Sequence, residues 1–567
     1  MSIKDIEQVK MPIIYISLSL ILSSICYGLY NDYWWLAVSS ASLFFIGILI
    51  YTNSSFTFLI SMFFILGIFI NHSYYKVEST ENFSGKLRVT EDKGYYRIGE
   101  FNGKRFYIEG DSLNIGLGER AFIYGELIAK VDKEKGILGT INIINGKKLS
   151  SDIISILYDI RKNIFIKLKE NIGMRKAGLV TSLSFGYSDY LDTEDKEDMQ
   201  SFGIIHAISV SGLHVALIFS ILNKLFNKGL SLGVTTLYVL LTGAPFSSIR
   251  ALIMIYCITL AFGARKKYNP LGGLALSGAI IILIKPYAMF QIGCILSFLA
   301  TLGIILLSNS INYKLYKLPK YIRETIGISL GAQVLTLPVM MVAFGEFSLT
   351  FIIGNVLLIP ILNILVLLGN LLLIAFLIPN LFDFISYIMI KIIYFLDRVM
   401  DYMYKISSSS FIVNENMVII YVSAIISIYF IMKGHKKFII LPIISIIIVS
   451  IYIYSPIVRV DYLREGGILI SYKGDRKIVS NKRNIDMERL KKTTLASEGY
   501  REGKNISIKD EIKIEALDKD FILRLNDKEY LLRLNKKGKI EDKYDIINFV
   551  EGKKKGFFIR NNRVLLY

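Results

Sequence analysis

Gly203-Ile-Ile-His206-Ala-Ile-Ser209-Val-Ser211-Gly212-Leu-His214-Val-Ala-Leu-Ile218 is the stretch on which the reading of this chain turns. Apolar residues flank it on both sides, as in a membrane helix. Yet it carries His206, Ser209, Ser211, Gly212 and His214. Polar groups in hydrocarbon are costly unless a partner or a water-filled cavity satisfies them, so the stretch should face an interior rather than lipid. Two interiors fit. One is a buried helix contact, in which small residues allow close approach and the histidines bond their neighbours. The other is the wall of a polar pathway. On a single helix the two histidines would stand about 80° apart. Two ligands do not make a metal centre, so structural hydrogen bonding is preferred to metal binding.

Working outward, 567 residues exceed one ordinary domain. A mean hydropathy of +0.48 and 53% hydrophobic residues indicate a polytopic α-helical membrane protein. The formal charge of +19 suits anionic partners, phospholipid or nucleic acid. Cytoplasmic loops collect Lys and Arg in any case, so charge alone decides little. Cys26, Cys257 and Cys294 all fall in apolar runs, and their spacing suggests neither a disulfide framework nor a zinc site.

Residues 1–75 hold three apolar runs, near 12–29, 34–51 and 55–71. The first is too long, and too closely followed by others, for a cleaved signal peptide. Lys4 and Lys10 favour a cytoplasmic N-terminus, which puts the next segment outside. That segment, 76–150, is polar and glycine-rich with short alternating runs. Asn102-Gly103 predicts a type I′ hairpin turn. Five or so short strands predict an inserted barrel, with an extracellular OB-like fold as leading candidate. Tyr95, Tyr96, Arg97, Lys104 and Arg105 are its candidate DNA contacts, through stacking and phosphate pairing. Half of the aromatics in this region should instead point into the barrel as core.

Residues 151–175 predict a basic amphipathic helix lying in the membrane interface, or packed along the bundle edge. The core, 176–378, has spans near 204–224, 229–244, 248–264, 270–285, 290–308, 324–343 and 349–378. The last is long, holds Pro360, and is expected to be broken. Residues 379–455 follow as an amphipathic helix and two further spans. A soluble β-rich domain, 456–567, ends the chain.

Polar groups recur within the core. Arg250 is the sharpest, because an unpaired guanidinium in an apolar span costs several kcal/mol. It either snorkels or meets phosphate bidentately. Gln291, Ser297, Gln333 and Asn355 add neutral donors and acceptors. Carboxylates are scarce, which argues against a proton relay and suits a polyanion.

These residues resemble the ComEC/Rec2 competence proteins. The 203–215 block is similar to that family's "HLLAISGLHV" signature. Ser247-Ser248-Ile-Arg250-Ala251 and Gln291 to Gly303 (the family's "FQLSFLATLG") continue the likeness. So do Gln333 to Pro338, Phe344 to Phe347 and Asn355 to Pro360. The resemblance implies a channel passing single-stranded DNA across the cytoplasmic membrane in natural transformation. Its path would be lined or shaped by His206, Ser209, Ser211, Gly212, His214, Arg250, Gln291, Ser297, Gln333 and Asn355. Membrane lipid surrounds such a chain. The resemblance also implies a cytosolic helicase-like ATPase and an extracellular DNA receptor as partners, since the sequence has no nucleotide-binding Gly-x-x-x-x-Gly-Lys loop.

The tail departs from the family. Many members end in a metallo-β-lactamase-like domain, but here no His and no Cys follows His435. A hydrolytic zinc pair needs such ligands, so no metal, no cofactor and no catalytic residue is expected. The tail reads as a shortened, degenerate remnant or an unrelated small domain. A membrane-anchored nuclease and a lipid-binding or structural membrane protein are the alternative functions.

Overall fold

The computed structural model describes residues 10–92, 94, 96–110, 115–406, 411–463, 466–480, 485–501, 506–509, 511–517, 520–525, 528–534, 544–549, 556–560 and 563–566. Two compact units emerge, Met1–Thr336 with Ser348–Ser409, and Leu337–Phe347 with Ser410–Tyr567. Among the described residues, eight helices are long and apolar enough to cross a membrane, and four more are apolar but shorter. The chain is a multi-pass membrane protein.

The first unit opens with α1 (Pro12–Tyr51) and α2 (Ser54–Tyr75). Helix α1 leaves helical geometry at Tyr33, where φ is −143° and ψ is 56°. It therefore comprises two runs that meet at the break expected between 29 and 34. The barrel strands are β1 (Thr80–Asp92), β2 (Arg97–Phe101), β3 (Lys104–Glu109), β4 (Arg120–Asp132) and β5 (Ile137–Lys148). They close in the order β1-β2-β3-β5-β4, with β3 and β5 parallel and β1 sealing against β4. Asn102 and Gly103 make the β2–β3 turn with φ of 49° and 76°, the paired positive values the Asn-Gly signal demands.

Helices α3 (Ile153–Ile172), α4 (Met174–Phe185) and α5 (Thr193–Ser201) follow. The apolar face of α3 is only partly as expected. Leu157, Ile164 and Leu168 pack into the main core, while Ile153 and Ile160 are exposed. Arg161 is buried among them, its guanidinium 3.8 Å from the Tyr158 ring centre and its Nη1 donating to the Phe185 carbonyl at 3.3 Å. Burial here comes from an aromatic face and a free helix-end carbonyl, which periodicity does not reveal.

The remaining helices are α6 (Gly212–Leu225), α7 (Lys228–Leu241), α8 (Phe246–Gly263), α9 (Pro270–Ile284), α10 (Ile292–Lys314), α11 (Lys320–Phe344), α12 (Phe351–Ala375) and α13 (Pro379–Ile406). The break expected within 349–378 is absent. Helix α12 runs unbroken through Pro360, and its buried Leu358, Ile361 and Leu362 clamp the turn on either side. Helices α10 and α11 cross backbone to backbone. A Cβ at Gly303 would lie 2.2 Å from the Gly331 carbonyl oxygen. Gly303→Ala should therefore lower the melting temperature in detergent, by overpacking of about 1–3 kcal/mol. Gly233→Ala, which meets nothing within 4 Å, should leave it unchanged or raise it. Equal effects of the two would remove the crossing as the cause.

In the second unit, α14 (Glu415–Met432) and α15 (Ile440–Ile453) accompany two sheets. Short strands β6 (Glu346–Phe347) and β7 (Phe411–Ile412) pair antiparallel. One sheet orders β11-β10-β9-β8-β17-β18, from Glu498–Arg501, Asp475–Ser480, Ile468–Tyr472, Val458–Tyr462, Gly556–Arg560 and Arg563–Leu566. The other is β12-β13-β14-β15-β16, from Ile506–Ile508, Ile512–Leu517, Asp520–Leu525, Lys528–Arg533 and Asp545–Asn548. Val460, Ile470, Ile514, Leu523 and Phe557 share one core between the sheets. Helix α16 (Met487–Thr494) covers part of the first sheet's opposite face through Met487 and Leu490.

Candidate functional site

The 203–218 stretch is not one helix. Gly203, at φ +71°, ends the turn after α5. Its Cα packs so closely on α12 that a Cβ would lie 2.6 Å from Phe351 Cβ. Residues Ile205–Ala207 form a single 3-10 turn, and helix resumes only at Gly212. The picture of His206 and His214 on one helix is corrected accordingly. The intervening chain leaves carbonyls with no intrahelical partner, and hydroxyls from two other helices satisfy them. Ser247 and Ser248 of α8 both donate to the Val210 carbonyl, at 2.9 and 3.3 Å, and Ser182 of α4 donates to the Ile208 carbonyl at 3.3 Å. Irregular backbone at membrane depth survives where protein groups replace the lost bonds.

Helix α6 then starts with its N-terminus aimed at α8. The Ser211 N–H donates to His214 Nδ1 at 3.3 Å. In the neutral ring Nδ1 is thus the acceptor, and the proton sits on Nε2. The two imidazoles lie within electrostatic reach of each other. His214 is buried, but His206 and Ser209 are exposed, although both sit in the middle of an apolar run.

Arg250 closes the group. It is only 8% exposed. Its Nη1 donates to the Ser297 carbonyl of α10, and its Nη2 would lie 2.7 Å from a Cβ at position 212. Gly212 is therefore glycine so that the guanidinium can lie against the start of α6. Nε of Arg250 is buried without a hydrogen-bond partner among the described residues. The Phe298 ring centre is 6.0 Å from its central carbon. Snorkelling is thus excluded for Arg250. It is an interior cation, with one N–H still to satisfy.

The structure therefore gathers His206, Ser209, Ser211, Gly212, His214, Arg250 and the Ser297 backbone where α6, α8 and α10 meet. Other expected positions lie apart. Asn355 Nδ2 donates to Ser329 Oγ at 2.9 Å, between α12 and α11, and Gln333 is half-buried on α11. Gln291 Nε2 donates to the Glu134 carbonyl at 3.0 Å, so it fastens the barrel instead of lining the group around Arg250. Tyr74 aids that fastening, its hydroxyl donating to the Gly136 carbonyl at 2.7 Å. Ser182 was not legible as a partner, because a serine in an apolar helix looks the same whether it bonds its own turn or a neighbour.

On the barrel, the expected DNA-contact set is reduced. Arg105 turns inward, pairing with Glu91 at 2.5 Å, donating to the Lys135 carbonyl at 2.9 Å and standing 5.3 Å from the Tyr287 ring centre. A guanidinium so engaged is a strut between barrel and helices, not a phosphate contact. Lys104 donates to the Lys76 carbonyl at 2.9 Å, and Arg97 pairs with Asp92 at 3.1 Å. Tyr96 stands edge-on to Tyr107. Tyr95 lies outside the described residues. Next to the strut, burial pushes the Tyr287 hydroxyl up to about 12. Among the described residues, no three His, Cys, Asp or Glu side chains gather as they would around a metal.

The family model that matches this chain covers this same region. The family model described as "Competence protein" matches residues 183–438. The chain is 27% identical over 217 residues to "ComE operon protein 3" of Bacillus subtilis (strain 168), covering 35% of this chain and 26% of that protein. It is 29% identical over 220 residues to an "Uncharacterized protein" of Aquifex aeolicus (strain VF5), covering 35% of this chain and 52% of that one. The chain thus spans about a quarter and about half of the length of these relatives. No solved structure matches it significantly. Residues 183–438 therefore match the competence-protein family model, and the chain is similar to a ComE operon protein over part of its length.

Proposed function

We propose that the protein carries single-stranded DNA across the cytoplasmic membrane during DNA uptake, along a path that passes the start of α6. One observation carries this reading: a buried arginine, one of whose N–H groups has no partner among the described residues, sits at a helix N-terminus, beside exposed His206 and Ser209. The first turn of a helix bears roughly half a positive charge, so cation and helix end favour the same anion. A phosphodiester arriving there would find donors already aimed and little negative charge to repel it. The serine-capped break supports the reading as well. It replaces a lipid-facing helix with polar backbone that neighbouring helices hold in place.

The barrel's strand order, with parallel β3 and β5, is what an OB-like fold requires, and we read it as the extracellular domain expected from the sequence. Its firm seat on Tyr74, Tyr287 and Gln291 makes it a fixed entrance collar rather than a swinging arm. Driving force and DNA capture are assigned to partners, a helicase-like ATPase in the cytosol and a DNA receptor outside.

A thiol-accessibility experiment tests the path. In a Cys257→Ser background, Ser209→Cys should react with a membrane-impermeant methanethiosulfonate reagent, and transformation should fall after the reaction. DNA in transit should slow that labelling. Reaction without any loss of transformation, or no reaction at all, would take position 209 out of the path.

A further inference from the structure

A second cationic site lies in the β-rich unit. Arg459 of β8, Ser471 of β9 and Arg476 of β10 are direct cross-strand partners, and Phe558 of β17 extends the row beyond Arg459. Directly opposed residues project from one face of a sheet. This row faces a cavity of about 320 Å³ whose other wall is Ile448, Ile451 and Tyr452 at the end of α15.

The polar wall is incompletely neutralised. Arg476 is 5% exposed. Its Nε donates to Ser471 Oγ at 3.2 Å, while Nη1 has no hydrogen-bond partner among the described residues. Arg459 pairs with Asp461 at 2.7 Å and stacks 4.1 Å from the Tyr452 ring centre. Among the described residues lining or pairing at the cavity, two guanidiniums and one carboxylate leave one positive charge. Burial, with Arg459 next to it, pushes the Arg476 guanidinium below its ordinary value, whereas Asp461 acts the other way. The apolar wall is different in kind. Ile448 and Ile451 are 56% and 68% exposed on a helix apolar enough to cross a membrane.

We propose that this cavity holds the head group of an anionic glycerophospholipid, its phosphate on Arg476 and Ser471 and its acyl chains along Ile448 and Ile451. A phosphodiester carries the single negative charge the site lacks, and arginine grips it through two N–H groups. The isoleucines match hydrocarbon and have no counterpart in a nucleic-acid backbone. The site also sits at the right level. Helix α15 ends at Ile453 and the sheet begins at Val458, so the cavity occupies the boundary where head groups lie. This proposal needs only that α15 be embedded in a bilayer and is independent of the DNA path.

Native mass spectrometry of the full chain in detergent tests it. Phosphatidylglycerol should be retained at one tight site, about tenfold more strongly than phosphatidylcholine. Arg476→Gln should weaken that site about tenfold, the loss of one charge-assisted contact. Ile448→Trp, at an exposed position, should weaken it by crowding the acyl wall while leaving both arginines and the fold in place. Neither inorganic phosphate nor a short single-stranded oligonucleotide should displace the lipid. Equal retention of the two lipids, or undiminished retention in both variants, would overturn the proposal. So would displacement by phosphate alone or by the oligonucleotide, which would reassign the site to free anion or to nucleic acid.

Discussion

Arg250→Gln should lower transformation by about a hundredfold, beyond any loss of the protein from the membrane. Glutamine ends at the distance of the arginine Nε, so the bond from Nη1 to the Ser297 carbonyl goes with the charge, and abundance in the membrane must be measured alongside uptake. What disappears is the charge beside Gly212 and the planar Nη fork, leaving only a neutral N–H at the level of Nε. A charge-assisted contact to phosphate contributes about 1.5–3 kcal/mol, and 2.7 kcal/mol is about a hundredfold. Arg250→Lys keeps a charge but loses the planar fork, so it should fall between, about tenfold down. Arg250→Glu should stop uptake altogether. Because it also sets a carboxylate against a carbonyl, its abundance in the membrane must be measured alongside. Parental transformation with glutamine at this position would make Arg250 a structural strut and withdraw it from the path.

The same site shows where sequence reading succeeds and where it stops. The polar content of residues 203–218 singled the stretch out, because polar groups in an apolar run need partners. The Asn-Gly turn and the barrel were equally legible, since local backbone chemistry fixes both. The break at 204–211 was not. It depends on hydroxyls from Ser182, Ser247 and Ser248, which come from 26 to 38 positions away. Arg105 misled for a related reason. On the sequence it is a basic residue next to aromatics, the composition of a nucleic-acid face. In the fold those neighbours are Glu91 and Tyr287, and the cation is used up between them. A one-dimensional pattern reports what a side chain can pair with, while the fold decides which partner reaches it first.

Arg175→Gln should be the most damaging change to stability outside the membrane path, and its damage should depend on pH. Asp195 is fully buried, and Arg175 Nη2 lies 2.6 Å from it and 3.0 Å from Asp397, joining α4, α5 and α13. Removing the half-exposed arginine leaves the buried Asp195 charge without compensation, which costs about 3 kcal/mol, the low end for buried pairs. In a chain of this size that is a drop in melting temperature of roughly 2–4 °C in detergent. Burial pushes the Asp195 carboxyl up and Arg175 pulls it back, with Asp192 and Asp397 adding to the upward push. Without the arginine, native Asp195 holds its proton more tightly than the unfolded chain does. Where the native state binds more protons, stability falls as pH rises. The variant's deficit should therefore be small below about pH 4, the ordinary aspartate value, and grow as pH climbs through the raised native one. Arg175→Gln combined with Asp195→Asn removes both charges and should recover much of the loss. A deficit that is constant across pH, and that Asp195→Asn does not relieve, would mean Arg175 acts through packing and not through its pairing with Asp195.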